Sequence, residues 1–448
     1  MSDPGIDSVV VKQLSKNREL DFRINCLGEP TIDSPLIKKG KHFVQEGNHL
    51  SYFHTLIDMD QYRSEYGEPL PAFEVAGPRR KIFFKPSKTR AAIVTCGGLC
   101  PGLNNVIRSI TFALNLYGVD NVLGIPYGFR GMVRGNNHNL KVLNSHTVSK
   151  IQTQGGTILG TSRGPQDVRE MVDFLVENSI QILFTIGGDG TQKGAMSICD
   201  EIKRRNLEIS VIGIPKTIDN DLNFLEKTFG FETAVEAARE MIQRLHTETT
   251  SVHNGIGIIK LMGRDSGYIA AQATLSSMDV NICLVPEIPF RLEGDHGLLK
   301  CIENRLTSKG HCVIAVAEGA GQKLMPATGE KDASGNTKYA DIGTFLAGEI
   351  KEYFSTHPHS PTIRYVDPSY LIRSLPASAD DGVFCLRLGQ AAVHAAMTGK
   401  TRLLTGYWSR IFTHVPMDYT VSARKKIHPE SLFWQSVLEY TRQPADMT

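Results

Sequence analysis

The sequence predicts an α/β protein of the doubly wound kind. Three observations carry this: apolar strand-like runs that end in glycine turns, helical periodicity alternating with those runs, and a length too great for one core. At 448 residues the chain is well past the size at which a hydrophobic core divides, so two interlocked three-layer domains plus an extension are expected. Arg90–Cys96 reads as a strand, and Asn104–Tyr117 as a helix with Ile107, Ile110 and Leu114 on one face, ended by Gly118. Val122–Ile125 is the next strand. Val168, Met171, Val172 and Leu175 mark a helix leading to Ile182–Ile186, an unbroken apolar and β-branched run that reads as a central parallel strand covered on both faces. Ala195–Arg205 is expected as helix, Ser210–Ile214 as strand and Thr233–His246 as helix. Strands at Gly257–Leu261, Ile282–Val285 and Val313–Ala317 then alternate with helices at Ser266–Ser276 and His296–Thr307. Gly319–Asp341, rich in Gly, Lys, Asp and Asn, reads as a mobile surface loop. Residues 1–89 lack the rhythm and read as an extension wrapping the core.

Composition narrows the function classes. A net charge of +2 and a pI near 8.0 give no argument for a nucleic-acid or membrane partner. The cysteines (26, 96, 100, 199, 283, 301, 312, 385) are scattered. Cys96 and Cys100 have no second pair at zinc spacing, and several others lie in apolar patterns as buried free thiols of a reducing compartment would. The N-terminus carries no apolar signal region, and no stretch approaches about eighteen apolar residues. The expected location is cytoplasmic.

Two motifs carry the chemistry. Ile182–Ile186 empties into Gly187-Gly188-Asp189-Gly190-Thr191. Glycines there let the backbone approach an anion, since a Cβ would collide with it. Asp189 follows at the carboxyl end of the strand, where open α/β sheets place ligands, and suits a magnesium ion held by few carboxylates and phosphate oxygens. Thr191 can cap the next helix, whose free amides favour phosphate. Alternatively the glycines make a turn and Asp189 is a cap. The second strand runs through Pro215 into Lys216-Thr217-Ile218-Asp219-Asn220-Asp221. Carboxylates at i and i+2 can divide two tasks, one accepting a proton from an attacking hydroxyl while the other orients a group. A hydrogen-bonded Asx turn is the other reading. Together the two motifs point to phosphoryl transfer.

GGDGT at 187–191, PKTIDND at 215–221 and MGRDSG at 262–267, with CGGLCPGLN at 96–104, GGTILGTSRGP at 155–165 and AEG at 317–319, resemble the 6-phosphofructokinase family. They fall in the family's order over roughly two thirds of the chain. GGDGT is shared with NAD kinases and lipid kinases, neither of which explains MGRDSG, whereas PKTIDND followed by MGR is specific. The resemblance implies the phosphofructokinase fold, with a nucleotide-binding domain at 90–230 completed by about 372–422. It implies a fructose-6-phosphate-binding domain at 231–371, completed by about 423–448, after an extension at 1–89. It further implies transfer of the γ-phosphoryl of MgATP to the C1 hydroxyl of fructose 6-phosphate, a step of glycolysis, by an allosteric homotetramer with subunit-shared sites.

Residue by residue, Gly97 and Gly98 match positions that open the first helix with amides toward the nucleotide phosphates. Arg163 matches an ATP-phosphate clamp, a task suited to a planar fork of donors. Gly188, Asp189, Gly190 and Thr191 match the rest of the ATP site, with Asp189 as magnesium ligand. Asp219 matches the general base, flanked by Thr217 and Asp221, with Lys216 and Arg264 beside the reaction. Met262, Gly263 and Arg264 match a loop contacting the sugar phosphate, and Glu318 a carboxylate that hydrogen-bonds sugar hydroxyls. Arg364, Tyr370 and Arg373 match the 6-phosphate site, Tyr370 standing where the family usually has histidine. Arg364 matches an arginine lent by a neighbouring subunit. A second lent arginine of many bacterial members is replaced by Gly255, with Lys260 and His253 as nearby substitutes. Diphosphate-dependent relatives usually carry GGDD and a lysine at the position of Lys216. Gly190 leaves room for the α-phosphate of ATP, so ATP is the expected donor. The diphosphate-dependent enzyme and a non-catalytic regulatory subunit are the alternatives.

Overall fold

Fully buried aliphatic runs set the centre of the molecule, which a computed structural model describes over residues 20–135, 138–331, 337–357 and 360–448. Its longer strands are β1 (His49–Ser51), β2 (Ala72–Val75), β3 (Arg90–Thr95), β4 (Asn121–Ile125), β5 (Lys141–Leu143), β6 (Ile182–Gly187) and β7 (Ser210–Pro215). They continue as β8 (Gly255–Leu261), β9 (Ile282–Leu284), β10 (His311–Ala317), β11 (Thr362–Val366), β12 (Leu403–Trp408) and β13 (Ile411–Pro416). The helices that position the site are α1 (Leu103–Tyr117), α2 (Val168–Glu177), α3 (Asp189–Arg204), α4 (Phe231–Thr250), α5 (Tyr268–Ser277) and α6 (Ala379–Met397).

One sheet of nine strands runs β1-β2-β13-β12-β7-β6-β3-β4-β5. Its centre, β12-β7-β6-β3-β4, is parallel, and antiparallel strands close both edges. The second sheet, β9-β10-β8-β11, is parallel throughout. Parallel strands need cover on both faces, and every residue of β6 and β7 is buried. Phe184, fully buried in β6, contributes on the order of 2–3 kcal/mol by leaving water. The predicted α/β class with two doubly wound sheets is therefore the one observed.

Differences from expectation have local causes. Helix α3 begins at Asp189, not Ala195, because the GGDGT residues themselves form its first turn; Gly190 and Gly194 had hidden the helical period. Helix α4 continues past His246 to Thr250. Residues 49–75 supply β1 and β2, which join the sheet through β13, so this part of the expected extension contributes strands to the sheet; its first nineteen residues lie outside the described residues. Aromatic packing holds them: Tyr52 stacks on Trp408 at 5.2 Å and Phe22 meets Phe73 at 4.5 Å. The Trp408 indole N–H donates to the Tyr52 carbonyl at 2.9 Å. Within 319–341 the described residues form a short helical turn, Gln322–Leu324, and otherwise loop; the part of the expected mobile loop at 332–336 lies outside the described residues. Among the described residues no helix is long and apolar enough to cross a membrane. All eight cysteines are free, six of them buried.

Candidate active site

The candidate residues gather at the carboxyl ends of parallel strands from both sheets, where doubly wound folds bind ligands. β3 leads to Gly97 and Gly98, β6 to Gly188 and Asp189, and β7 to Lys216–Asp221. From the second sheet, β8 leads to Met262–Arg264, β10 to Glu318, and β11 to the helical turn Ser369–Arg373. Crossed backbone bonds tie the last loops together: the Glu318 amide donates to the Leu261 carbonyl at 2.9 Å and the Gly319 amide to that of Gly263 at 3.1 Å.

The acidic side is built on the turn after β7. Thr217 Oγ1 accepts from the Asp219 amide at 3.1 Å and donates to Asp221 Oδ1 at 3.1 Å. Asp219 Oδ1 is buried with no hydrogen-bond partner among the described residues. Burial, then the charges of Asp221 and Glu318, push the Asp219 carboxyl well above the usual range, against the pull of Arg424 and Arg373. Glu318 is also pushed up, mainly by burial. Such a carboxyl is poised to take a proton rather than remain a spectator anion.

Facing it is a basic cradle around one glycine loop. Lys216 Nζ, nearly inaccessible, donates to the Gly98 carbonyl at 2.5 Å. A Cβ added at Gly98 would lie 2.9 Å from Arg373 Nη1 and 3.2 Å from Arg163 Nη2, so both guanidiniums come close against this backbone and a side chain here would push them outward. Burial, with Arg373 and Arg163 adding to it, lowers the Lys216 pKa. Three cations drawn around one loop repel one another, and a polyanion set among them would relieve that repulsion.

Two helix-terminus expectations are corrected. Gly97 and Gly98 do not open a helix: α1 starts at Leu103 after Gly102, and the Gly97 amide donates to the Ser162 carbonyl at 2.9 Å. Residues 97–102 form a loop of their own because Gly97 and Gly102 take left-handed φ values of 84° and 101°. Thr191 does not cap α3. The N-cap is Gly188 with no side-chain bond, and Thr191 is buried in the first turn with its side chain turned back against Gly187. Gly190, next to Asp189, faces open space, with nothing within 4 Å of an added Cβ.

On the second sheet's side of the cluster, Arg373 stacks on Tyr370 at 4.5 Å. The Arg264 guanidinium lies over Tyr339 at 4.6 Å and donates to the Thr337 carbonyl, so the loop after β10 covers it. Met262 is half-buried against the core. Arg364 stands apart. It is exposed on the edge strand β11, and among the described residues no hydrogen bond or ion pair joins its side chain to the cluster. An arginine at Gly255 has no room, because even a Cβ would come within 1.9 Å of the Thr249 carbonyl oxygen. Lys260 is corrected as a stand-in: its ammonium is held by Asp367 at 2.8 Å and Asp341 at 3.2 Å.

Sequence reasoning missed Arg424, which lies beyond every motif. It pairs with Asp221, with Asp265 at 3.4 Å and with Asp189 at 3.9 Å. Asp189 also takes Lys193 at 2.9 Å, so its carboxylate already attracts cations. No cluster of three or more metal-binding side chains exists among the described residues. One carboxylate without a protein cage fits magnesium, which binds mainly through phosphate oxygens and water, and not a structural metal.

Paired carboxylates opposite a cation-ringed glycine loop, at the ends of parallel strands, have the make-up of a phosphotransferase site. Comparison with known proteins agrees. The family described as phosphofructokinase matches residues 90–396. The ATP-dependent 6-phosphofructokinase of Borreliella burgdorferi is 48% identical over 445 residues, covering 96% of this chain and 99% of that one. Its namesake in Amycolatopsis methanolica is 44% identical over 443 residues, covering 95% of each chain. Among solved structures, the pyrophosphate-dependent phosphofructokinase of Marinobacter aquaeolei superimposes with a TM-score of 0.65 at 20% identity, over 79% of this chain and 91% of that one. The chain belongs to the phosphofructokinase family.

Proposed function

We propose that the protein is an ATP-dependent 6-phosphofructokinase, transferring the γ-phosphoryl of MgATP to the C1 hydroxyl of fructose 6-phosphate in cytoplasmic glycolysis. The observation that carries this reading is the basic cradle of Lys216, Arg163 and Arg373 around Gly98, set against the carboxylates of Asp189, Asp219 and Asp221. Asp219 accepts the proton of the attacking hydroxyl as general base. Thr217 and Asp221 hold its turn, and Lys216 sits among the donor phosphates with Gly97, Gly98, Arg163, Gly188, Gly190 and Thr191 along the nucleotide. Asp189 would hold magnesium, which neutralises phosphate charge when bound. Met262, Gly263, Arg264 and Glu318 receive the sugar, and Arg373 with Tyr370 its 6-phosphate. Residues 90–230 with about 372–422 form the nucleotide domain, 231–371 with about 423–448 the sugar domain, and 1–89 the extension. A coupled assay of the purified protein tests the donor directly: rapid turnover with ATP and none with diphosphate is expected, and the reverse overturns the assignment.

Arg364 completes the 6-phosphate site of a neighbouring subunit in a homotetramer, which its exposed place on an edge strand supports. Arg364→Ala should raise the KM for fructose 6-phosphate and leave that for ATP nearly untouched, because arginine–phosphate pairing is bidentate and lysine replaces it poorly. Chains carrying Arg364→Ala, mixed with chains carrying Asp219→Ala, should regain activity, since some sites then combine an intact base with an intact lent arginine. Hybrids shown to form, yet no more active than either parent at a low fructose 6-phosphate concentration where the Arg364→Ala parent scarcely turns over, rule out sharing.

A further inference from the structure

We infer that Arg424 is a positioning residue of the phosphoryl-transfer site: from the C-terminal segment it holds Asp221 and Asp265 and so fixes the turn that carries Asp219. The inference rests on the reading of Asp219 as the base. Arg424 lies outside the stretch matched by the family, which ends at residue 396, and none of the motifs contains it.

The geometry runs in one chain of contacts. Arg424 Nη1 donates to Asp221 Oδ2, while Asp221 Oδ1 accepts from Thr217 Oγ1 at 3.1 Å. That hydroxyl in turn accepts from the Asp219 amide at 3.1 Å. Three links therefore join the guanidinium to the backbone of the base. From the same guanidinium, Nε stands 3.4 Å from Asp265 in MGRDSG and Nη2 3.9 Å from Asp189 in GGDGT. One planar fork thus touches a carboxylate of each of the three motifs, from both sheets. A lysine, with its charge at a single point, cannot span three carboxylates in different directions.

The side chain is not needed to anchor its own segment. Arg424 and Leu222 already form an antiparallel backbone bridge, and the Lys425 amide donates to the Asp221 carbonyl at 2.9 Å. The buried Lys425 Nζ donates to the carbonyls of Leu225 at 2.9 Å and Glu226 at 3.2 Å. With the segment pinned by these bonds, the Arg424 guanidinium is left to act on the carboxylates.

The experiment uses the full-length enzyme with Arg424→Ala and Arg424→Lys. A misplaced base costs about a hundredfold even for shifts near 1 Å, so kcat for Arg424→Ala should fall by about that factor. KM for both substrates should change little, because the loss falls on the transition state. Arg424→Lys should recover only a small part. Methylguanidinium added to Arg424→Ala should restore part of the rate by refilling the fork. Near wild-type kcat in Arg424→Ala overturns the proposal. So does a variant that unfolds or changes its oligomeric state, because that makes the residue structural, and so does the absence of any rescue. Activity retained in Asp219→Ala would instead sink the base assignment itself; an inactive Asp219→Ala beside a fully active Arg424→Ala sinks only the present inference.

Discussion

Asp219→Ala is expected to lose kcat by about 10²–10⁴-fold, equivalent to about 3–5 kcal/mol of transition-state stabilisation, as loss of a general base does. Affinity for fructose 6-phosphate should change far less, since Arg373, Arg264 and Glu318 remain. The fold should not suffer. Asp219 Oδ1 is buried with no hydrogen-bond partner among the described residues, and removing an unsatisfied buried carboxyl leaves the thermal midpoint level or raises it. A pH profile supplies an independent check. Burial, Asp221 and Glu318 raise the Asp219 pKa, and only the ionised carboxylate can accept a proton. As pH falls, the wild-type kcat/KM should therefore drop while still above the ordinary carboxylate range; this ratio reports the free enzyme. An Asp219→Ala protein keeping more than about a tenth of wild-type kcat would assign the proton to another group.

The parts of the fold that could be read from the sequence are those in which burial is complete. β6 and β7 are enclosed on both faces, so their residues form unbroken apolar runs, and the glycine and acidic residues after them stand out by contrast. β1 and β2 lacked that contrast. They are three and four residues long, lie at an antiparallel edge, and mix His49, Ser51 and Glu74 with the buried Phe73. A strand so short shows neither period nor run. What seats them is aromatic packing against Trp408 and Phe224, contacts between positions far apart along the chain that no local pattern announces.

The site divides in the same way. Asp189 and Asp219 follow strand ends within motifs, so their place there exposed them, whereas Lys216 and Arg264 took their roles from the resemblance alone. Arg163 and Arg373 were legible only through resemblance, and it took the fold to bring both guanidiniums against Gly98. Arg424 follows a short helix and precedes two lysines in a segment that reads as an ordinary solvated charge run. Its pairing with Asp221, Asp265 and Asp189 is purely tertiary. Lys260 shows the converse error. Its nearness to Gly255 made it a candidate for the missing lent charge, but Asp341 and Asp367, far along the chain, hold its ammonium.

Gly190→Asp is expected to abolish efficient use of ATP while leaving the protein folded. Gly190 is the second residue of α3, and nothing lies within 4 Å of an added Cβ. A carboxylate in the first turn also suits the positive end of the helix. The effect must then be electrostatic and directed at the ligand. A carboxylate about 4 Å from a phosphate costs about 4 kcal/mol at an effective dielectric near 20, or about a thousandfold in kcat/KM for ATP. Diphosphate has no third phosphoryl group to meet that charge, and the substitution leaves the Lys216 ammonium beside the Gly98 carbonyl, so weak diphosphate-dependent turnover should emerge in the variant. The sugar side is untouched, and the KM for fructose 6-phosphate should hold. The measurement is kcat/KM for ATP and for diphosphate on wild type and variant, side by side. Unchanged ATP kinetics would mean that residue 190 lies away from the nucleotide, and the preference for ATP over diphosphate would then need another origin in this site.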